Sequence, residues 1–345
     1  MFPDKKDILS MSIAELEEDM LDLGEKKFRA VQLFEWLHKK RAEDFSECLN
    51  LSAALRKTLG ERYYIRRARP IKKLVSVIDG TIKYLYEFPD GERAETVLME
   101  YRHADSICIS TQVGCKMGCS FCASTKAGFV RDLLPSEMLS QIYESERDSG
   151  RRIGSLVLMG IGEPLDNFDN VMRFLELLSS EHGTGLSLRH VSLSTCGLAD
   201  MIYKLADMKT GLTLSVSLHA PTDEKRSAIM PVNRRFSTSE LIKACSYYFK
   251  KTGRRISFEF ALISGVNDDI GTAKALIALL KPLYPCHVNL IPVNEIRERD
   301  YRRSTNVRHF QKALCDGGIN ATVRRTLGAD INAACGQLRR DSEKL

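Results

Sequence analysis

The chain lacks any apolar run long enough to cross a bilayer, which takes about 20 consecutive apolar residues in a helix. Its first residues, MFPDKKDILS, lack the apolar stretch of a secretory signal peptide. Low-complexity segments and short-period repeats are missing as well. We therefore expect a soluble, cytoplasmic protein with no membrane partner.

Cysteines are too few for a disulfide scaffold, since there are ten in 345 residues. In a reducing cytosol such cysteines are core residues, metal ligands or reactive thiols. Five of them fall in helical or strand patterns and are interpreted as core residues, although Cys196 is less certain because it adjoins Ser194 at a strand end. These five are Cys48, Cys196, Cys245, Cys286 and Cys315.

The length suggests two domains, or one barrel with an appendage. The N-terminal stretch has short helical patterns, of which SIAELEEDMLDLG (12–24) opens with Ser, has Glu three residues on and stops at Gly. From residue 72 the hydrophobic period changes to two, with DG turns at 79–80 and 90–91. We predict a small helical domain over 1–70 and a β-meander extension over 71–104.

From about residue 105, short apolar runs alternate with helical segments, which predicts a parallel sheet with crossover helices. Six such units are two short of a closed eight-stranded barrel. The predicted fold is therefore α/β, a partial (βα)6 barrel over 105–320 followed by a C-terminal segment over 321–345. The six runs are SICIST (106–111), SLVLMG (155–160), HVSLST (190–195), LTLSVSLHA (212–220), ISFEFALI (256–263) and HVNLIP (287–292).

Polar and small residues follow the predicted strands. In barrels of parallel strands, chemistry takes place on the loops at the C-terminal strand ends. The sequence GCKMGCSFC (114–122) follows the first strand, and later strands end in MGIGEP, LSTCG, SVSLHAP and IPVNE. Several strand ends thus bring hydrogen-bonding groups to one face, which is typical of a ligand site.

Three cysteines, Cys115, Cys119 and Cys122, are clustered without a fourth. A structural zinc site usually takes four N/S ligands in paired Cys-x-x-Cys knuckles. A loop that wraps three thiolates around one point suits a cubane iron–sulfur cluster whose fourth iron stays open for a substrate. Two alternatives remain at this point: three idle cysteines, or zinc completed by a distant His or Cys, as in an RNA-binding zinc protein without catalysis.

Cys-x3-Cys-x2-Cys after the first strand of a βα series resembles the radical S-adenosylmethionine (SAM) superfamily. The resemblance implies that the three cysteines hold a [4Fe–4S] cluster, that SAM chelates the open iron, and that an electron from the cluster cleaves SAM to a 5′-deoxyadenosyl radical. GIGEP (160–164) looks like the superfamily's GGEP element, which receives the amino end of SAM. The positions that match SAM contacts are Gly162, Glu163, Ser194, Ser217, Leu218, His219 and Asn294.

The C-terminal stretch VRRTLGADINAACGQL (323–338) resembles the adenine-methylating RlmN/Cfr family, and the match runs over most of the chain, including ETVLME (95–100) and ICISTQVGC (107–115). RlmN modifies C2 of an rRNA adenine and Cfr modifies C8. Pro164 and the RRTLGADI run look more like RlmN, so C8 methylation is the alternative. Ile161 stands where Met is usual, which is a conservative departure.

The chemistry calls for a carrier thiol. An adenine ring carbon is a poor nucleophile, so ordinary displacement on the SAM methyl group fails there, whereas a thiolate can take that methyl group. The family resemblance gives this role to Cys335, with two SAM molecules per turnover. It gives Cys108 a resolving role through a transient Cys108–Cys335 disulfide, and it makes Glu95 the proton acceptor. Whether Glu95 or Cys108 removes the ring proton stays open. Taken singly, Cys108 also fits a buried strand thiol, and Glu95 a solvent-facing meander residue.

The family resemblance implies 23S rRNA and tRNA as partners, the latter modified at the adenine 3′ of the anticodon, with the target base unstacked into the barrel mouth. The protein is also expected to act as a monomer that receives electrons from a donor such as flavodoxin or ferredoxin. The formal net charge is +6, and residues 295–345 carry eleven Lys or Arg against seven Asp or Glu. A second basic cluster, RYYIRRARPIKK (62–73), interleaves Arg with Tyr, which suits an RNA backbone. Together with the N-terminal helices, both segments are expected to bind RNA, with a solvated basic face as the alternative.

Overall fold

The computed structural model describes residues 5–294, 300–334 and 336–338. Cys335, the predicted carrier thiol, therefore lies outside the described residues. In the described ranges no helix is both long and apolar enough to reach across a membrane. The α-helices are α1 Ile13–Asp22, α2 Phe28–His38, α3 Ala53–Arg62, α4 Pro135–Ser149, α5 Phe168–Ser179, α6 Ala199–Met208, α7 Asp223–Ile229, α8 Thr238–Thr252, α9 Ile270–Leu280 and α10 Val307–Asp316.

The strands form one large sheet and two small ones. The large sheet has ten strands in the order β14-β13-β12-β11-β10-β9-β6-β5-β4-β3, and the small ones pair β1 with β2 and β7 with β8. The strands are β1 Lys6–Asp7, β2 Tyr63–Tyr64, β3 Arg69–Val75, β4 Ile82–Glu87, β5 Arg93–Met99, β6 Asp105–Cys108, β7 Gln112–Gly114, β8 Phe129–Asp132, β9 Ile153–Leu158, β10 Val191–Thr195, β11 Thr213–Ser217, β12 Ser257–Leu262, β13 His287–Pro292 and β14 Asn320–Val323.

The N-terminal stretch is helical, as its sequence pattern indicates. Ser12 caps α1 by accepting a hydrogen bond from Glu15 N at 3.2 Å, and the Glu15 carboxylate accepts from Ser12 N at 2.6 Å. This reciprocal pair satisfies two N–H groups that a helix start leaves without partners. The buried side of α1, with Leu16 and Met20, packs against α2.

The meander forms the antiparallel part of the large sheet. β3, β4 and β5 pair antiparallel, and β5 pairs antiparallel with β6, with Val97 opposite Cys108. On its other side, β6 pairs parallel with β9, with Cys108 opposite Val157. The meander and the barrel strands therefore share one continuous hydrogen-bonded sheet, and β6 is the strand where the pairing changes direction.

The six predicted parallel strands all form, as β6, β9, β10, β11, β12 and β13, so the α/β partial barrel is confirmed. The structure adds a seventh, β14, which pairs parallel with β13 from His287 opposite Asn320 to Leu290 opposite Val323. Its sequence NATV is four residues long and has few apolar side chains, so its periodicity is too weak to identify a strand.

Four of the five cysteines interpreted as core residues are buried, namely Cys48, Cys196, Cys245 and Cys286. The interpretation is wrong for Cys315, which is exposed. Helix α10 buries Phe310 and Leu314. Because successive side chains of an α-helix are rotated by about 100°, the residue that follows Leu314 turns away from the buried face.

Three arginines and one lysine of the basic 62–73 segment pair with carboxylates of this chain, and two of these arginines, Arg66 and Arg67, reach α4. Arg66 Nη1 lies 2.9 Å from Glu137 Oε1, and Arg67 Nη2 lies 2.9 Å from Glu144 Oε1. Both glutamates are buried side chains of α4. Arg66 and Arg67 therefore hold the N-terminal domain against the barrel.

Candidate active site

The loop with the three clustered cysteines is closed at its base by the β7–β8 ladder, in which Gln112 lies opposite Asp132. Gly114 has φ +76°, and a Cβ there would lie 1.7 Å from the carbonyl oxygen of Gly128. Only glycine permits this approach of the two backbones. The ladder was not foreseen from the sequence, because strands of three and four residues are too short to show a period.

Cys115, Cys119 and Cys122 line one cavity of about 140 Å³. Burial, together with the neighbouring thiols, raises the pKa of Cys115 to about 12 and raises that of Cys119 as well. Such thiols become thiolate ligands only when bound metal compensates their charge. The donor set thus fits an iron–sulfur cluster. Among the described residues, no three His, Cys, Asp or Glu side chains are grouped closely enough to hold one metal ion, so this fit rests on the shared cavity and the donor chemistry.

Six of the seven positions matched to SAM contacts line the same cavity. Leu218 is the exception, because its side chain is fully buried. Its backbone N donates to Glu259 O at 3.1 Å, and its carbonyl accepts from Arg226 Nε at 3.1 Å. The other six come from strand ends or the loops that follow them, and they are Gly162, Glu163, Ser194, Ser217, His219 and Asn294.

The Glu163 carboxylate joins two strand ends. Oε2 accepts from Cys196 N at 2.6 Å and Oε1 accepts from Leu165 N at 3.1 Å, while Glu163 N donates to Gln112 Oε1 at 2.9 Å. Burial raises its pKa, and the bonds from the backbone N–H groups oppose that rise. Glu163 therefore holds the loops after β9 and β10 together at the wall of the cavity.

His219 is a neutral hydrogen-bond donor to the cavity. Its Nδ1 accepts a hydrogen bond from Ala261 N at 2.8 Å. Its ring packs edge-on against the ring of Phe121, with 4.6 Å between the two ring centroids. Burial and the nearby Arg226 lower its pKa to about 3, which keeps the ring uncharged. Because Nδ1 is an acceptor, the proton lies on Nε2.

Arg226 is a structural residue of the site whose role the sequence did not indicate. It is fully buried on α7. Its guanidinium donates to three backbone carbonyls, of Leu218 at 3.1 Å, Cys196 at 2.6 Å and Ser217 at 3.2 Å, and to Asn233 Oδ1 at 3.0 Å. Arg226 therefore joins the loops after β10 and β11, which both contribute to the cavity. A signal was present in the basic residue that ends SLHAPTDEKR (217–226), but charged residues of this kind are usually exposed.

Arg226→Met is expected to lower the free energy of unfolding by about 3–5 kcal/mol, because it removes the hydrogen bonds from the guanidinium to the carbonyls of Cys196 and Ser217 and to Asn233 Oδ1. Arg226→Lys should recover less than half of that loss, since a single ammonium cannot reproduce the planar fork of donors. Urea denaturation of the two variants and the wild type measures the difference. A midpoint of unfolding unchanged in Arg226→Met would contradict the assigned role.

A fourth thiol, Cys196, lines the cavity together with the three clustered ones. Burial raises its pKa well above the ordinary value, and Glu163 and Cys119 raise it further. The described structure thus supplies the distant cysteine that the zinc alternative requires, and a variant of Cys196 can separate the two interpretations.

A second cavity, of about 50 Å³, adjoins the first, and both are lined by Arg324. Cys108 lines the second cavity together with Ala334, whereas Gly336 lines the first. Ala334 and Gly336 are the sequence neighbours of Cys335. The residue just before the predicted carrier thiol therefore lines the second cavity, and the residue just after it lines the first.

Glu95 is not among the residues that line the cavity of the three thiols. It is 1% exposed, so it is not the solvent-facing meander residue of the alternative interpretation. Its Oε1 lies 3.1 Å from Lys83 Nζ, and both side chains line a third cavity with Asn332.

A family model described as the radical SAM superfamily matches residues 109–276. A second model, described as the N-terminal domain of ribosomal RNA large subunit methyltransferase, matches residues 6–65. A crystal structure of a radical SAM methyltransferase from Sphaerobacter thermophilus is 41% identical and superposes with a TM-score of 0.92, over 97% of this chain and 99% of that one. The partial barrel, with its cysteine loop after the first parallel strand, is that of a radical SAM enzyme.

Two relatives carry the description "probable dual-specificity RNA methyltransferase RlmN". The Lachnospira eligens protein is 51% identical, covering 96% of this chain and 95% of its own length. The Clostridium perfringens strain 13 protein is 51% identical, covering 97% of each. The chain belongs to the RlmN family of radical SAM RNA methyltransferases. It therefore uses a [4Fe–4S] cluster and SAM, which confirms the predicted cofactors, while the roles of individual residues stay predictions.

Proposed function

We propose that this enzyme methylates C2 of an adenine in 23S rRNA and of the adenine 3′ of the anticodon in tRNA, through an S-methylcysteine at Cys335. The observation that carries the proposal is the composition of one cavity. Three clustered thiols, six residues matched to SAM contacts and Gly336, the neighbour of Cys335, all line it. The dual specificity in the names of the relatives agrees with two RNA substrates.

In this proposal Cys115, Cys119 and Cys122 hold the cluster. Two side chains orient SAM, Glu163 as a hydrogen-bond acceptor and His219 as an uncharged hydrogen-bond donor. When bound, the cluster and SAM supply an electron and a carbon-centred radical. The chain itself contributes position and exclusion of water. The three cysteines are at most partly exposed, and Glu163 and His219 are nearly buried, so a reactive species formed there is shielded from solvent.

Cys335 would carry the one-carbon unit and Cys108 would release the product. The thiolate of Cys108 attacks the sulfur of Cys335, and the bond from that sulfur to the adduct carbon breaks with its electron pair left on the carbon. That carbon takes a proton to become the methyl group, and a disulfide remains for reduction by an external thiol. The lining of the second cavity by both Cys108 and Ala334 supports this pairing. Glu95 would accept the ring proton. It lies on β5 two residues before Val97, the strand partner of Cys108, so the two groups are on the same face of the sheet.

RNA would be held mainly through phosphate contacts from the C-terminal basic segment and the remaining basic residues of 62–73. Substrates of this kind lie in the cytoplasm, which is where we place the enzyme. We propose that it acts as a monomer, supplied with electrons by a carrier such as flavodoxin or ferredoxin.

Nucleoside mass spectrometry of 23S rRNA and tRNA tests the proposal. RNA from cells that express this chain is compared with RNA from cells that lack it and from cells that express Cys335→Ala. We expect 2-methyladenosine in both RNAs of the first sample only. Finding 8-methyladenosine instead would establish C8 methylation, and finding no modified adenine would refute the proposal.

Cys108→Ala is expected to stop turnover after the carbon is attached, because nothing resolves the link between protein and RNA. Denaturing gel electrophoresis with radiolabelled RNA should then show a slow-moving covalent adduct. Cys245→Ala is the matched control, since this core cysteine is fully buried on α8 and away from both cavities. Clean turnover by Cys108→Ala would remove Cys108 from the resolving role.

A further inference from the structure

Lys83 is a buried cation in the meander. Its side chain is 5% exposed, and its Nζ lies 3.1 Å from Glu95 Oε1. In the β4–β5 register, Lys83 lies opposite Val97 and Leu85 lies opposite Glu95. Lys83 and Glu95 are therefore diagonal neighbours on one face of the sheet, within reach of a long side chain.

The same ammonium also binds the C-terminal segment. Lys83 Nζ donates to the carbonyl oxygen of Asn332 at 3.2 Å. Asn332 precedes Cys335 by three residues and has a left-handed φ of +50°. An ammonium group has three donors and no acceptor, so Lys83 can serve a carboxylate and a carbonyl at once.

The C-terminal segment is fixed at two further places on the meander side. Asp330 accepts from Ser76 Oγ at 2.7 Å and from Val77 N at 3.0 Å. Gly328 N donates to Asp79 Oδ2 at 2.9 Å. These contacts join residues 328–330 to the tip of the β3–β4 hairpin.

Beyond Cys335, the segment is fixed to the cysteine loop instead. Ala123 N donates to Gly336 O at 2.8 Å, and Ser124 Oγ donates to Leu338 O at 2.9 Å. Cys335 therefore lies in the sequence between a stretch held by the meander and a stretch held by the cysteine loop. Of the meander contacts described, the bond from Lys83 is the nearest to Cys335 along the chain.

We propose that Lys83 is a positioning residue for the methylation, which sets the Glu95 carboxylate and the Cys335 segment in one fixed relation. The inference rests on the proposed roles of Glu95 and Cys335. Burying the Glu95 carboxylate without a cation beside it would cost free energy. The C-terminal segment is bound through the carbonyl of Asn332, so it stays in place only while Lys83 donates to that carbonyl. One cation meets both needs, so loss of Lys83 disturbs the proton acceptor and the carrier thiol together.

Hydrogen exchange of the purified holoenzyme tests the coupling without relying on activity. The amides of Ile331 and Ala333 bond to Gly328 O at 3.2 and 2.9 Å and report whether the segment stays closed. In Lys83→Met we expect peptides covering 328–334 to exchange about tenfold faster or more. The matched control is Lys204→Met, which removes an exposed lysine that lies 3.1 Å from Asp169 and should exchange as the wild type does.

Kinetics supply the second readout. In Lys83→Met we expect kcat to fall by about 100-fold while the KM for RNA changes by less than about threefold, because the loss concerns alignment and not RNA contacts. Lys83→Gln retains a donor for Asn332 O but no charge. It should therefore keep the exchange protection of 328–334 and still lose kcat. Lys83→Gln also serves if Lys83→Met does not fold.

The outcomes separate this inference from the proposed function. Wild-type exchange and a kcat within twofold of wild type in Lys83→Met would overturn the role of Lys83. So would a Lys83→Gln enzyme with full activity. If the wild-type enzyme forms no 2-methyladenosine and carries no methyl group on Cys335, the proposed function fails. The hydrogen-exchange comparison then tests only whether Lys83 holds residues 328–334 in place.

Discussion

Cys119→Ala is expected to abolish iron binding and to reduce RNA methylation by about 10⁴-fold or more. Removing one of three thiolates leaves the cluster two protein ligands on a loop built for three, and a step that depends wholly on that cluster falls to background. Iron content after anaerobic reconstitution, and the absorbance near ~400 nm where Cys-ligated clusters absorb, measure the first effect. Nucleoside mass spectrometry measures the second.

Cys196→Ala is the matched control, since this fourth thiol lines the same cavity. The three-ligand cluster predicts that Cys196→Ala retains its iron, whereas a four-cysteine zinc site predicts that both variants lose metal equally. Zinc in the wild-type protein after anaerobic reconstitution would contradict the cluster. An equal loss of iron from both variants would show that Cys196 is itself a ligand.

Gly114→Ala is expected to cost about 4 kcal/mol or more of stability at the cysteine loop and to leave the purified protein with little iron. The new Cβ would lie 1.7 Å from Gly128 O, so the β7–β8 ladder has to open, and a left-handed φ adds strain. Because this ladder closes the loop that bears all three thiols, separating its strands moves the ligands apart. Iron content and thermal unfolding of the reconstituted protein measure the effect.

Gly128→Ala separates the clash from the strain. Gly128 has φ +70°, close to that of Gly114, but a Cβ there would meet no atom within 4 Å. We expect a loss of only about 1–2 kcal/mol and a nearly full complement of iron. Equal iron content in the two variants would mean that the closed ladder is not needed to place the ligands.

Much of the fold was accessible from the sequence, because long elements repeat their chemistry along the chain. The period of two over the meander, the capping pair of Ser12 and Glu15, and the six β-rich runs each reflect a local backbone preference. The short β7–β8 ladder and β14 were not accessible. Strands of three or four residues depend on the partner that pairs with them, and the sequence does not show that partner.

The candidate site divides in the same way. Sequence spacing alone indicated Cys115, Cys119 and Cys122, because three cysteines so close in sequence share one loop, whereas the distances between their thiols depend on how the β7–β8 ladder closes that loop. Arg226 and Lys83 were not identified as functional residues, because a charged residue is assumed to face solvent until its burial is known. The arginines at 66 and 67 show the reverse error, since a basic cluster attributed to RNA partly binds carboxylates of α4.

By itself the sequence indicated the type of chemistry, because the three cysteines of one loop and the Gly-rich strand end lie in short local motifs that can be recognised without knowing the fold. Only the tertiary structure decided which distant groups share a cavity with them. It brought Cys196 and His219 to the cavity of the thiols, placed Ala334 and Cys108 around a second cavity, and set Lys83 between Glu95 and Asn332. Contacts between residues hundreds of positions apart depend on how strands and loops pack, and no local pattern records that packing.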